Sequence, residues 1–123
     1  MANTFKNMTL RGDAIGADTL TNLGDFGGTS NAVATGSQIT LIGMTIANIT
    51  SGVITASVSL NNVSDGQTWI VKDAPIPSGG SLITCGGDQK ICLFHNGTNG
   101  DQIKVQSNTA NSMHIVLSYL EST

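Results

Sequence analysis

The chain has 123 residues, the length of one domain with a single core, and only 11% of them are charged, against roughly 25% in an average soluble domain. The formal net charge is −3 and the five basic residues are scattered singly, so there is no basic stripe for a nucleic-acid partner. No apolar run reaches the roughly 18–20 residues of a membrane span, so we expect no membrane partner. Uncharged polar side chains must cover the surface, which favours a protein that works inside an assembly.

The N-terminal segment is predicted to be extended. Residues 1–12 alternate weakly around Phe5 and are typical of an N-terminal arm or an edge strand, and residues 13–123 are predicted to form a single β-sandwich domain. The first residues lack the layout of a secretion signal, so we expect folding in the cytoplasm. Residues 18–23 predict a short strand. Residues 24–36 predict a glycine-rich loop without the Gly-Lys-Ser/Thr ending of a phosphate-binding loop.

Residues 38–48 predict a long strand with apolar side chains on both faces. Strict alternation puts Ile39 and Leu41 on one face. The other face then carries three further apolar residues: Ile42, Met44 and Ile46. Such a strand is either covered on both sides or runs from the core into a subunit contact. Residues 53–60 predict a half-buried strand with a polar outer face.

Both prolines fall within one short stretch, which predicts a corner. Residues 67–72 predict the strand that enters it. The residue before each proline is pushed to extended geometry, so residues 74–77 cannot be helical. We predict that the chain bends at residues 73–77, where it crosses from one sheet to another. A tight turn is expected at residues 77–80, where a proline is followed by two glycines.

Residues 81–85 and 90–94 flank Gly-Gly-Asp-Gln, which predicts a β-hairpin. In that hairpin Cys92 would be a diagonal neighbour of Cys85, a register that does not guarantee disulfide geometry. Two buried free thiols are therefore favoured over a disulfide. The spacing of the cysteines is too wide for a zinc knuckle, although His95 lies near Cys92 in sequence, and no metal site is expected.

The C-terminal part predicts two more strands, at residues 101–107 and 112–120, and both alternate cleanly. Short strands at regular spacing without a helical period predict an all-β fold, an antiparallel β-sandwich that is jelly-roll-like. The carboxylates lie mostly in loops, and no pair has the spacing of a general acid and base. We therefore expect no catalytic residue, no cofactor and no enzymatic activity.

Several segments resemble small structural proteins of tailed-bacteriophage virions. The resemblance covers most of the chain. The segments that carry it are residues 71–82, 86–90, 100–107 and 116–121, the opening Met-Ala-Asn-Thr-Phe-Lys-Asn and the turn at 46–51. The chain departs from the resemblance at residues 24–36 and at Cys85 and Cys92.

The resemblance implies a capsid cement or decoration protein that binds the major capsid protein at the capsid surface, as a homotrimer. A head–tail connector, neck or tail-associated protein is the alternative. A carbohydrate-binding or enzymatic β-sandwich is the third possibility, and it should show clustered exposed aromatic residues. Physical reasoning adds candidate capsid or subunit contacts from the arm and from the strand at residues 38–48: Phe5, Met8, Leu10, Ile42, Met44 and Ile46.

Overall fold

The computed structural model describes residues 3–12, 15–23, 26–28, 32–62, 66–85 and 90–123. These residues form nine strands: β1 Asn3–Leu10, β2 Thr21–Asn22, β3 Gln38–Asn48, β4 Ile54–Asn62, β5 Gly66–Ile76, β6 Ser81–Cys85, β7 Ile91–Leu93, β8 Gln102–Ser107 and β9 Met113–Ser122. The described part of the chain has no helix long and apolar enough to span a membrane.

The strands form two sheets with the topology of a jelly roll. The five-stranded sheet has the order β1-β9-β3-β6, and β7 also pairs with β3. The four-stranded sheet has the order β2-β8-β4-β5, and the paired strands are antiparallel. If β6 and β7 are counted as one interrupted strand, β1 pairs with β9, β2 with β8, β3 with the β6–β7 strand, and β4 with β5. This is a long hairpin rolled into two sheets, and it confirms the predicted fold class.

β1 lies along the edge of the five-stranded sheet. It pairs with β9 over its whole length, from Asn3 opposite Ser122 to Leu10 opposite Ile115. Two forms are predicted for residues 1–12, an N-terminal arm or an edge strand. The structure shows the edge strand and does not confirm the arm. Met8 and Leu10 pack against the core.

β3 carries apolar residues on both faces only through Ile42, so the predicted placement of Met44 and Ile46 opposite Ile39 and Leu41 is wrong. The register between β3 and β9 shifts between Leu41 and Gly43, and Ile42 is the extra residue of this β-bulge. A bulge resets the alternation, so the apolar residues on either side of it face the same way. Ile39, Leu41, Met44 and Ile46 are all at most 2% exposed and belong to one core.

The predicted bend at residues 73–77 is also wrong in position. β5 continues through Pro75, which pairs with Thr55 of β4, and ends at Ile76. A proline is tolerated here because β5 is an edge strand and its N–H positions need not all be paired. The chain does cross between the sheets, but it does so at the turn that follows, where the Gly80 N–H donates to the Pro77 carbonyl at 2.9 Å.

The predicted hairpin of β6 and β7 does not form. Both strands pair antiparallel with β3, β6 along Met44–Ala47 and β7 along Ile39–Leu41. They therefore run in the same direction, end to end, along one edge of β3. The long edge of β3 offers backbone partners to both segments, which the Gly-Gly-Asp-Gln pattern cannot reveal. The residues predicted as the turn, 86–89, lie outside the described residues.

β4 faces the core as predicted, but its polar face is not open to solvent. Ser57 and Ser59 are 3% and 0% exposed. Ser57 Oγ accepts a hydrogen bond from the Asp73 N–H at 2.9 Å. Ser59 lies opposite Trp69 of β5 and Lys104 of β8, which flank it on that face. β8 and β9 follow their predicted alternation, with the inward residues of both strands buried.

Part of the glycine-rich loop closes the core. Phe26 is 2% exposed, and its ring meets that of Tyr119 edge to face, with centroids 5.3 Å apart and planes at 84°. Val33 is buried beside it in the core cluster, and its N–H donates to the Asp101 carbonyl at 3.1 Å. A Cβ on Gly100 would collide with the Val33 backbone, so glycine permits this close approach.

Candidate contact surface

The outer face of the five-stranded sheet is the side turned away from the core. The register places there the odd-numbered residues of β1, the even-numbered residues of β9 and the β3 residues opposite them. β6 and β7 extend this face, with Ile83 opposite Thr45 and Cys92 opposite Thr40. We call this surface the outer face.

The outer face carries no Asp, Glu, Lys or Arg among the described residues that form it. The charged residues of these strands are Lys6 of β1 and Glu121 of β9. Both lie at positions that alternate with the outer-face residues, so they are on the core side of the sheet. They form an ion pair at the rim, with Lys6 Nζ 2.8 Å from Glu121 Oε1. The hydrogen bond to Glu121 and the negative charge of that carboxylate raise the pKa of Lys6 above its ordinary value.

Large apolar side chains are exposed on the outer face. Phe5 is 77% exposed, Ile83 is 71% exposed and Val116 is 51% exposed. Val116 and Ile83 lie in one row across the sheet, on either side of Thr45. Phe5, Ile42 and Ser118 line a shallow groove of about 360 Å³. The arrangement is a broad surface that can lose its water without burying a charge.

The six contact residues predicted from sequence lie in two different places in the structure, the outer face and the core side of the sheet. Phe5 and Ile42 reach the outer face. Met8 and Leu10 are partly buried against the core, and Met44 and Ile46 are 2% and 0% exposed, so these last two side chains are closed to a partner in the folded chain. Sequence reasoning missed Val116 and Ile83. The signal for Val116 was present, because it falls between the inward residues of β9.

The outer side of the four-stranded sheet differs in character. Lys104 of β8 lies there beside Ser59. The edge strand β5, which pairs with β4, carries both Lys72 and Asp73. These two residues form an exposed ion pair with a separation of 3.4 Å between Nζ and Oδ2. Lys72 Nζ also lies 4.6 Å from the centre of the Trp69 ring. Because charges of both signs are fixed on this side, the two outer surfaces of the sandwich are chemically distinct.

A polar cleft of about 460 Å³ lies at one end of the sandwich. Its described lining includes Asn61, Asn99 and Gln102 with His95, and none of the ten described lining residues is Phe, Tyr or Trp, or Asp, Glu, Lys or Arg. His95 Nδ1 accepts a hydrogen bond from the Gly97 N–H at 3.0 Å. The described lining of the cleft thus shows no Phe, Tyr or Trp ring of the kind that stacks on a sugar.

The histidines, cysteines and carboxylates of the described residues bear on whether the chain could bind a metal or form a disulfide. No group of three or more His, Cys, Asp or Glu residues among them could hold a metal ion. Cys92 is a free thiol, as predicted, but it is exposed on the outer face instead of buried. The side chain of Cys85 lies outside the described atoms.

Comparisons with known proteins extend the assignment of the fold. No protein-family model matches the chain, and no curated protein matches it in sequence. Among solved structures, it is similar to a protein of the disulfide-linked pili of Bacillus endospore appendages, with a TM-score of 0.51 and 10% identity over 99% of this chain and 87% of that chain. It is also similar to a protein of the triple jelly roll and turret assembly of an archaeal virus, with a TM-score of 0.51 and 14% identity over 98% of this chain but only 29% of that chain. At these identities the shared property is the jelly-roll fold.

Proposed function

We propose that this chain is a structural protein of a virus particle and that it attaches to the particle through its outer face. The observation that carries the proposal is the lack of charged residues across the described part of that face, together with the exposed Phe5, Ile83 and Val116. Burying a charge in an interface costs several kcal/mol unless it is paired. The described part of the face avoids that cost, because none of the strand residues that form it is charged.

Two further points support a structural role. The solved structures of similar fold are described as a pilus and a viral turret assembly. The segments that resemble tailed-phage virion proteins include residues 116–121 of β9, the strand that contributes Val116 to the outer face. A non-enzymatic role is part of the proposal.

The finer proposal is a cement or decoration protein that binds the major capsid protein at the capsid surface. A protein that binds only the intact shell stabilises the shell by mass action, so a rigid sandwich with one broad neutral face suits the task. A neck or tail-associated protein is the alternative, and its contact surface would match a ring. The homotrimer implied by the resemblance stays a prediction.

The outer face can be tested by placing a charge at its centre. Thr45 is exposed on β3 between Val116 and Ile83. We expect Thr45→Glu to lower the amount of protein bound to particles by at least about tenfold, because the new carboxylate would be buried unpaired in the contact. The measurement is the protein retained on sedimented particles that lack the native copy.

The matched control is Thr68→Glu, since Thr68 is also an exposed strand threonine but lies on β5 of the other sheet. Thr68→Glu should bind like the native protein, and both variants should keep the native melting temperature. If Thr45→Glu binds as well as Thr68→Glu, the outer face is not the contact.

A further inference from the structure

The four edges of the two sheets differ in how open they are to another strand. Edge strands with unpaired backbone groups are templates for pairing unless something blocks them. On the four-stranded sheet, β2 has only two residues, and β5 carries Pro75 and two register shifts against β4. On the five-stranded sheet, one edge is divided between β6 and β7. Each of these three edges has a feature that hinders strand addition.

β1 has none of these features. Its eight residues keep one continuous register with β9 and include no proline. No described strand pairs with its other side. Its single charged residue, Lys6, is already held by Glu121 of the same sheet. Phe5 stands on this edge with 77% of its surface exposed. Lys6 therefore limits the registers that an incoming strand can take without closing the edge, and the apolar Phe5 is left open.

We infer that the free edge of β1 pairs with β1 of a second copy of this chain, in antiparallel orientation. Two identical edges that pair in this way are related by a two-fold axis perpendicular to the sheet, and the contact is closed and isologous. The two five-stranded sheets then become one continuous sheet. The inference concerns self-association and does not depend on particle binding.

Side-chain alternation and charge select the register. Paired residues must lie on the same face, so the strand can slip only in steps that preserve this rule. One register puts Lys6 opposite Lys6 of the second copy, and like charges directly opposite are destabilising. The next puts Asn7 opposite Asn7, Lys6 opposite Met8 and Phe5 opposite Thr9. The register shifted the other way, with Phe5 opposite Phe5, also avoids the repulsion, but it pairs only residues 3–7 of the described strand. The Asn7 register pairs residues 4–10 and gives the exposed Phe5 a neighbour, so it is the one we assign.

The same register joins the two outer faces. Thr9 pairs with Val116 within each copy, so Phe5 of one copy would extend the row that runs through Val116 to Ile83 in the other. The uncharged surface would then continue across the two-fold axis. A dimer replaces the trimer expected from the resemblance, because an antiparallel contact between identical strands closes with two copies.

Two cysteine variants of the full chain test the register. In a background with both Cys85→Ser and Cys92→Ser, Asn7→Cys would place two thiols opposite each other, with Cα atoms about 4.5–5.5 Å apart, which suits a disulfide. Thr9→Cys on the same face would place them about four residues apart along the strand, or roughly 13 Å. Under copper–phenanthroline oxidation we expect a disulfide-linked dimer from Asn7→Cys only, with the cysteine-free parent as baseline. Equal cross-linking of the two variants, or none from Asn7→Cys, would overturn the register.

The mass in solution provides the second readout. Sedimentation equilibrium should give twice the chain mass for the native protein, and Asn7→Lys should weaken the dimer by at least tenfold because two lysines would face each other. The control Thr68→Lys, on the other sheet, should leave it unchanged. A native monomer or trimer would overturn the inference while leaving the particle contact of Thr45 open to its own test.

Discussion

Replacing Phe26 with alanine should lower the free energy of unfolding by about 3–5 kcal/mol. The ring is 2% exposed and packs edge to face on Tyr119, so its removal would leave a cavity in the core. A domain of this size is stable by only about 5–15 kcal/mol, so the loss is a large part of the total. Urea denaturation followed by tryptophan fluorescence measures it.

Phe94→Ala serves as the matched control for this variant. Phe94 is 49% exposed, so its removal should cost less than about 1 kcal/mol. Equal destabilisation by the two variants would contradict a core role for the glycine-rich loop.

Replacing Asn48 with alanine should cost about 2–4 kcal/mol, since the change removes a buried amide whose donors and acceptor are all used. Asn48 Nδ2 donates to the Gly52 carbonyl at 2.8 Å and to the Ile76 carbonyl at 2.9 Å. Asn48 Oδ1 accepts from the Thr50 N–H at 2.8 Å. The side chain thus ties the end of β3 to the end of β5, across the two sheets.

Asn61→Ala is the control for Asn48, because Asn61 is only partly buried and donates to Gln102 Oε1 at 3.1 Å. The losses in the free energy of unfolding of the two variants, measured by urea denaturation, should differ by at least about 1 kcal/mol. A cost for Asn48→Ala no greater than that for Asn61→Ala would show that the link between the sheets contributes little.

The strands that follow strict alternation could be predicted from sequence. The apolar residues at alternate positions of these two strands are buried: Ile103 and Val105 in β8, and Met113, Ile115, Leu117 and Tyr119 in β9. Alternation is a local property, so residue types alone are sufficient to reveal it.

What could not be predicted depends on contacts between distant segments. The bulge at Ile42 inserts one residue in β3 and is visible only against its partner β9. β6 and β7 share one edge of β3, and a turn-like Gly-Gly-Asp-Gln does not reveal which strand its flanks will join. The bulge explains why Met44 and Ile46 were expected at a contact and lie in the core. Phe5 was correctly placed on an edge, because its neighbours in β1 are polar.

The most direct test of the proposed role is the copy number of this chain in purified particles, measured by quantitative mass spectrometry against the major capsid protein. A cement protein that covers the lattice should be present in numbers comparable to that protein. A count that matches one small ring would support the neck or tail alternative. Absence from the particle would contradict a virion role and, with it, the assignment of the outer face as a particle contact.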